Sequence, residues 1–71
     1  MKIRTTQITL VKDGQPIFSE EGFTISIEDE AGGEFVTVSC HMEGFGKVAI
    51  NPEEWPALRE AIDQMVSACR D

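Results

Sequence analysis

Val48-Ala49-Ile50-Asn51-Pro52-Glu53-Glu54-Trp55 contains the change from strand to helix that decides the fold. Lys47 to Ile50 is a short apolar strand. Asn51 then supplies a side-chain oxygen for the first free N–H groups of a helix. Pro52 suits the first helical position, where no N–H is needed. Glu53 and Glu54 favour the positive end of the helix dipole, and Glu54 stands where a capping box would have it. Pro56 interrupts this start, because it removes a hydrogen bond that the second turn should make. The sequence therefore predicts a 3₁₀ or loosened first turn, with regular α-helix from about Pro56. Beyond it Trp55, Leu58, Ile62, Met65, Val66 and Cys69 recur at helical spacing and form one apolar stripe.

Upstream, the period is two. Phe23, Ile25 and Ile27 alternate with Thr24, Ser26 and Glu28, the pattern of a half-buried strand. Val36, Val38, Cys40 and Met42 alternate with Phe35, Thr37, Ser39 and His41 in a second one. Ala31-Gly32-Gly33 is the turn between them, and Gly44 and Gly46 flank Phe45 in a loop. Ile3 to Val11 is rich in Ile, Thr, Leu and Val and reads as a further strand. Asp13-Gly14 marks a turn, and Pro16-Ile17-Phe18 reads as a resumed extended segment. The predicted class is α+β: a small curved antiparallel sheet of about four strands followed by one C-terminal amphipathic helix. Residues 1–71 form a single domain, with 1–22 an additional N-terminal strand segment and 23–71 the strands and helix.

Size and charge limit the function. A chain of 71 residues buries only about 60% of its unfolded surface, so one copy has little core. Two cysteines cannot form a disulfide framework, which makes self-association through the helix the expected staple. Cys40 and Cys69 read as small buried hydrophobes in a reducing compartment. Thirteen acids against six Lys and Arg give a formal charge of −7, which opposes anionic membranes and a simple electrostatic nucleic-acid clamp. The acidity is concentrated: residues 23–46 carry Glu28, Asp29, Glu30, Glu34 and Glu43 and no Lys or Arg. No apolar run approaches the roughly 20 residues of a membrane span, and polar Thr5, Thr6 and Gln7 follow Lys2 and Arg4 where a signal peptide needs apolar residues. The expected location is cytoplasmic.

Catalysis finds no support in the residue types. His41 is the single histidine, and it reads as a surface residue on the polar face of its strand. No cysteine or histidine stands at zinc spacing, and Glu28-Asp29-Glu30 lacks the spacing of a calcium loop. The sequence predicts no enzyme, no cofactor and no metal.

The order of hairpin, glycine-containing loop, short strand and Asn-Pro-Glu-Glu-Trp helix start resembles the single-stranded-DNA-binding core of the positive-cofactor-four family of transcriptional coactivators. The similar stretch runs from Phe23 to about Val66 and is sharpest at Val48 to Trp55, followed by Leu58 and Ile62. The resemblance implies a curved sheet with the helix behind it, pairing of two copies through their helices, and β-ribbons that bind single-stranded nucleic acid. It makes Phe35, Thr37, Ser39, His41, Phe45, Lys47, Lys2 and Arg4 the candidates for nucleic-acid contact. Leu58, Ile62, Met65, Val66 and Cys69 become the candidate dimer interface, with Trp55 a core anchor. The family carries Lys and Arg on its ligand-binding face; here the central strands carry neither. Two functions follow: a homodimeric single-stranded-DNA-binding protein, or an acidic homodimeric protein-interaction module with the same fold and no nucleic acid. Clustering of Lys2, Arg4, Lys12 and Lys47 around Phe35 or Phe45 favours the first. A face dominated by Glu28, Glu30, Glu34 and Glu43 favours the second.

Overall fold

The period-two segments pair as their alternation requires. In the computed structural model, which describes residues 1–30 and 32–69, four strands form one antiparallel sheet: β1 (Gln7–Leu10), β2 (Phe23–Glu30), β3 (Gly33–Cys40) and β4 (Lys47–Ile50). The spatial order is β1-β2-β3-β4, so each strand lies beside its chain neighbour. A 3₁₀ turn, Pro52–Glu54, leads directly into the helix α1 (Trp55–Ala68). The fold class is thus α+β, as the sequence predicts.

The register sorts the side chains by polarity. Ile8, Ile25, Val38 and Val48 stand opposite one another across all four strands, with Leu10, Phe23 and Cys40 on one side of this row and Ile27, Val36 and Ile50 on the other. The opposite face carries Thr9, Thr24, Ser39 and Lys47 in one row and Gln7, Ser26, Thr37 and Ala49 in the next. A slip of one residue would exchange the two faces, so the apolar pattern fixes the pairing. Gly33 begins β3 at φ +117°, a conformation that side chains with a Cβ rarely adopt. Of the turn expected at Ala31-Gly32-Gly33, Ala31 lies outside the described residues.

The helix start follows the chemistry of its residues. Asn51 Oδ1 accepts a hydrogen bond from the Glu53 N–H at 3.0 Å, and Pro52 sits in the first turn. Glu54 makes no side-chain capping bond. The first turn is 3₁₀ and α-helix begins at Trp55, one residue before the expected Pro56.

Several expectations need correction. The N-terminal strand is shorter than Ile3–Val11, although the Thr6 carbonyl still accepts from the Ile27 N–H at 2.8 Å. Pro16-Ile17-Phe18 is not extended. Ser19 N–H donates to the Pro16 carbonyl and Gly22 N–H to the Ser19 carbonyl, which folds this segment into successive turns. Cys40 is half-buried and Cys69 is exposed. Cys69 also lies beyond the stripe: it is the residue that closes α1, with extended backbone and its N–H on the Met65 and Val66 carbonyls. Trp55 is no core anchor within one chain, since it is 44% exposed.

The largest difference is the position of the helix. The resemblance implies a helix behind the sheet, but α1 packs on the 3₁₀ turn and leaves the apolar sheet face open. Ile50 is the one buried hydrophobic residue among those described. The radius of gyration, 14.4 Å, exceeds the about 11 Å expected for a compact chain of this length.

Candidate interaction face

The hairpin end of the sheet holds a hollow of about 360 Å³ between the β2–β3 hairpin and the helix start, with Phe35 and Ala49 from the polar face and Glu34 and Ile50 from the other. Phe35 and Ala49 lie in it, with Glu30, Glu34 and Glu54 among its walls. Each is placed by a different element. Glu30 and Glu34 flank the hairpin turn in β2 and β3. Phe35 stands opposite Glu28 on the same face. Glu54 is delivered by the 3₁₀ turn that Asn51 caps. The only charged groups lining the hollow among the described residues are therefore carboxylates around an aromatic ring.

One cation, Arg4, is held on a wall of this hollow, and the other paired cations are engaged elsewhere. Arg4 donates from both guanidinium nitrogens to the two Glu34 oxygens, at 3.1 and 3.0 Å. That pairing holds the Glu34 carboxyl below its ordinary pKa, through the hydrogen bonds first and the opposite charge second. The Arg4 guanidinium is raised by the same partner. Lys12 pairs with Glu21 at 3.1 Å and Lys47 with Glu28 at 3.3 Å. Arg59 reaches Asp63 one turn along α1 at 4.0 Å. Among the described Lys and Arg side chains only Lys2 lies outside an ion pair. The Lys47–Glu28 pair runs diagonally across β3. Thr37 lies between its two anchor points in the register and is only 5% exposed.

The residues proposed from the sequence for nucleic-acid contact thus divide. Phe35, Thr37, Ser39 and Lys47 share the polar face. Phe45 does not join them: it stands in the loop before β4 beside Phe23, Val38, Cys40 and Val48, which belong to the apolar face. Lys2 and Arg4 precede β1, with Arg4 held by Glu34. His41 is half-buried rather than a free surface group. Its Nδ1 lies 3.0 Å from the Ser19 carbonyl, which can only accept, so this nitrogen carries the hydrogen. In the neutral ring Nε2 then accepts from the Thr24 hydroxyl at 2.6 Å. Both ring nitrogens are thereby used to fasten the 19–22 segment to the end of the sheet. Gly22 N–H, the Gly22 carbonyl and the His41 N–H complete this clasp.

Sequence reasoning named Glu30 and Glu34 as part of an acidic face but missed that Glu54 joins them beside Phe35. Glu30, Glu34 and Glu54 are up to 24 positions apart, and only the hairpin register and the direction of the helix start bring them to one end of the sheet. Among the described residues no group of three His, Cys, Asp or Glu is arranged to hold a metal ion. Among them also, no helix is long and apolar enough to cross a membrane. No family model, curated protein or solved structure matches the chain.

Proposed function

We propose that this protein is an acidic homodimeric interaction module that receives a cationic side chain of a protein partner in the Phe35 hollow. The observation that carries this reading is the composition of the hollow: an aromatic ring with Glu30, Glu34 and Glu54 around it and no lining cation. Such a site repels phosphate and attracts a guanidinium or ammonium. An arginine fits best, because its planar fork stacks on an aromatic face and meets carboxylates in two-pronged fashion. Arg4 already makes that type of contact with Glu34, at the rim of the hollow. A formal charge of −7 steers basic partners toward the module and nucleic acid away from it. A reducing, intracellular setting belongs to the same reading and draws on the free thiols of Cys40 and Cys69.

The single-stranded nucleic-acid reading retains one favourable observation. Thr24, Ser26, Ser39, Phe35 and Lys47 share one face, so a strand could stack on Phe35 and reach Lys47 if that side chain left Glu28. Both readings are tested together by fluorescence anisotropy, with a labelled arginine–glycine repeat peptide and a labelled oligo-dT, each at low and moderate salt. The expected result is saturable peptide binding that Phe35→Ala weakens by about 2- to 30-fold, the range of a cation–π contact from exposed to desolvated. Glu30→Gln and Glu54→Gln should weaken it further and flatten its salt dependence. Saturable binding of oligo-dT that is lost in Phe35→Ala, with no peptide binding, would replace this function with the nucleic-acid one.

A further inference from the structure

The chain exposes two apolar surfaces that fit each other but do not meet within one copy. One is the sheet face, where Ile25, Val36, Val38 and Ile50 with Pro52 and Trp55 line an open hollow of about 340 Å³. The other is the stripe on α1, where Ile62, Met65 and Val66 are at least half exposed. The accessible surface is 6429 Å², whereas a folded chain of this mass exposes about 4,400 Å². The excess of roughly 2,000 Å² per copy is more than twice the about 800 Å² that each partner contributes to a standard interface, and it falls in the range of obligate dimers. The dimensions also agree. A helix of 14 residues is about 21 Å long, and an eight-residue strand spans about 27 Å, so one helix covers the apolar rows of one sheet. The outer side of α1 carries Arg59, Glu60, Asp63, Gln64 and Ser67 and suits solvent.

From this we infer that two copies exchange their helices, α1 of each lying on the apolar sheet face of the other. The occupant is a second copy because each chain carries one helix without a sheet to cover and one sheet without a helix over it. A two-fold contact satisfies both at once and closes the assembly. The inference rests on the homodimer reading and specifies its seam as helix against partner sheet, not helix against helix alone. The Phe35 hollow lies at the hairpin end of the sheet and takes Glu30, Phe35 and Ala49 from the polar face, which the exchanged helix leaves open to a third molecule.

The test uses the full chain. Sedimentation at micromolar concentration should give twice the monomer mass of 7.9 kDa. A sample mixed from isotope-labelled and unlabelled copies should show intermolecular nuclear Overhauser contacts from the Leu58 and Ile62 methyls to those of Ile25 and Val38. Ile62→Asp and Val38→Asp should each abolish the dimer, and because these variants can also unfold the chain, the mixed wild-type sample is the deciding measurement. A monomer, helix–sheet contacts that are only intramolecular, or intermolecular contacts confined to the two helices would each overturn the exchange. The arginine peptide separates this failure from failure of the proposed function. A monomer that binds the peptide refutes the exchange alone, and an exchanged dimer that ignores the peptide refutes the peptide site alone.

Discussion

At Gly22 the chain has no room for a methyl group. A Cβ there would lie 2.7 Å from His41 Nδ1 and 3.0 Å from the Leu10 carbonyl oxygen, both inside van der Waals contact. Gly22→Ala should therefore push the imidazole off its two partners and destabilise the fold by about 1–3 kcal/mol, measured by urea denaturation. His41→Ala removes the same clasp, so the double variant should lose less than the sum of the two single losses. Additive losses would show that the glycine and the histidine act separately. The Arg4–Glu34 pair gives a second check at this scale. Because the Glu34 pKa is lowered in the folded chain, the pair's contribution is present above the ordinary glutamate value and fades as pH falls through the lowered one. Side-chain NMR should find Glu34 titrating below the ordinary glutamate range, and Arg4→Gln should return it to that range. The pair is half exposed, so the effect on stability is small. Neither feature can be read from the sequence, since His41 follows the polar alternation of its strand and nothing local indicates Ser19 or Thr24 as its partners.

Elements were more legible than residues wherever a period ran through them. The alternation in Phe23–Ile27 and Val36–Cys40 gave both central strands and their faces. The Asn-Pro-Glu-Glu signal placed the helix start to within one residue of Trp55. Segments without a period are harder to read. Pro16-Ile17-Phe18 is apolar but has no alternating partner, and turn hydrogen bonds at Pro16 and Ser19 took its backbone instead. The cap supplies the prediction proper to this scale. Asn51→Ala leaves the Glu53 N–H without its acceptor and should cost about 1 kcal/mol in chemical denaturation. Asn51→Ser should recover most of that loss, because a serine oxygen serves the same N–H.

For the molecule as a whole, the sequence indicated that a chain this small lacks core but not where the missing core lies. Amphipathic patterns mark Leu58, Ile62 and Val38 as apolar; they carry no information on which apolar face meets which. The open sheet face and the bare helix stripe settle where the unburied area is. The helix exchange inferred above makes stability depend on mass action: on that inference the midpoint of thermal unfolding should rise with protein concentration over two decades. A midpoint independent of concentration would mean that each copy is stable alone.

The meander order of the sheet also bears on how fast the protein forms. Every strand pairs with its chain neighbour, so the β2–β3 hairpin and its flanks can assemble by local loop closure, on a scale of about 1–10 μs for a hairpin. What such a sheet lacks is a hydrophobic partner, and with exchanged helices that partner arrives by diffusion. Refolding should consequently split into a first-order phase that is blind to concentration and a bimolecular phase whose half-time halves when the protein concentration doubles. At low chain numbers the newly made sheet would wait, apolar face open, for its twin.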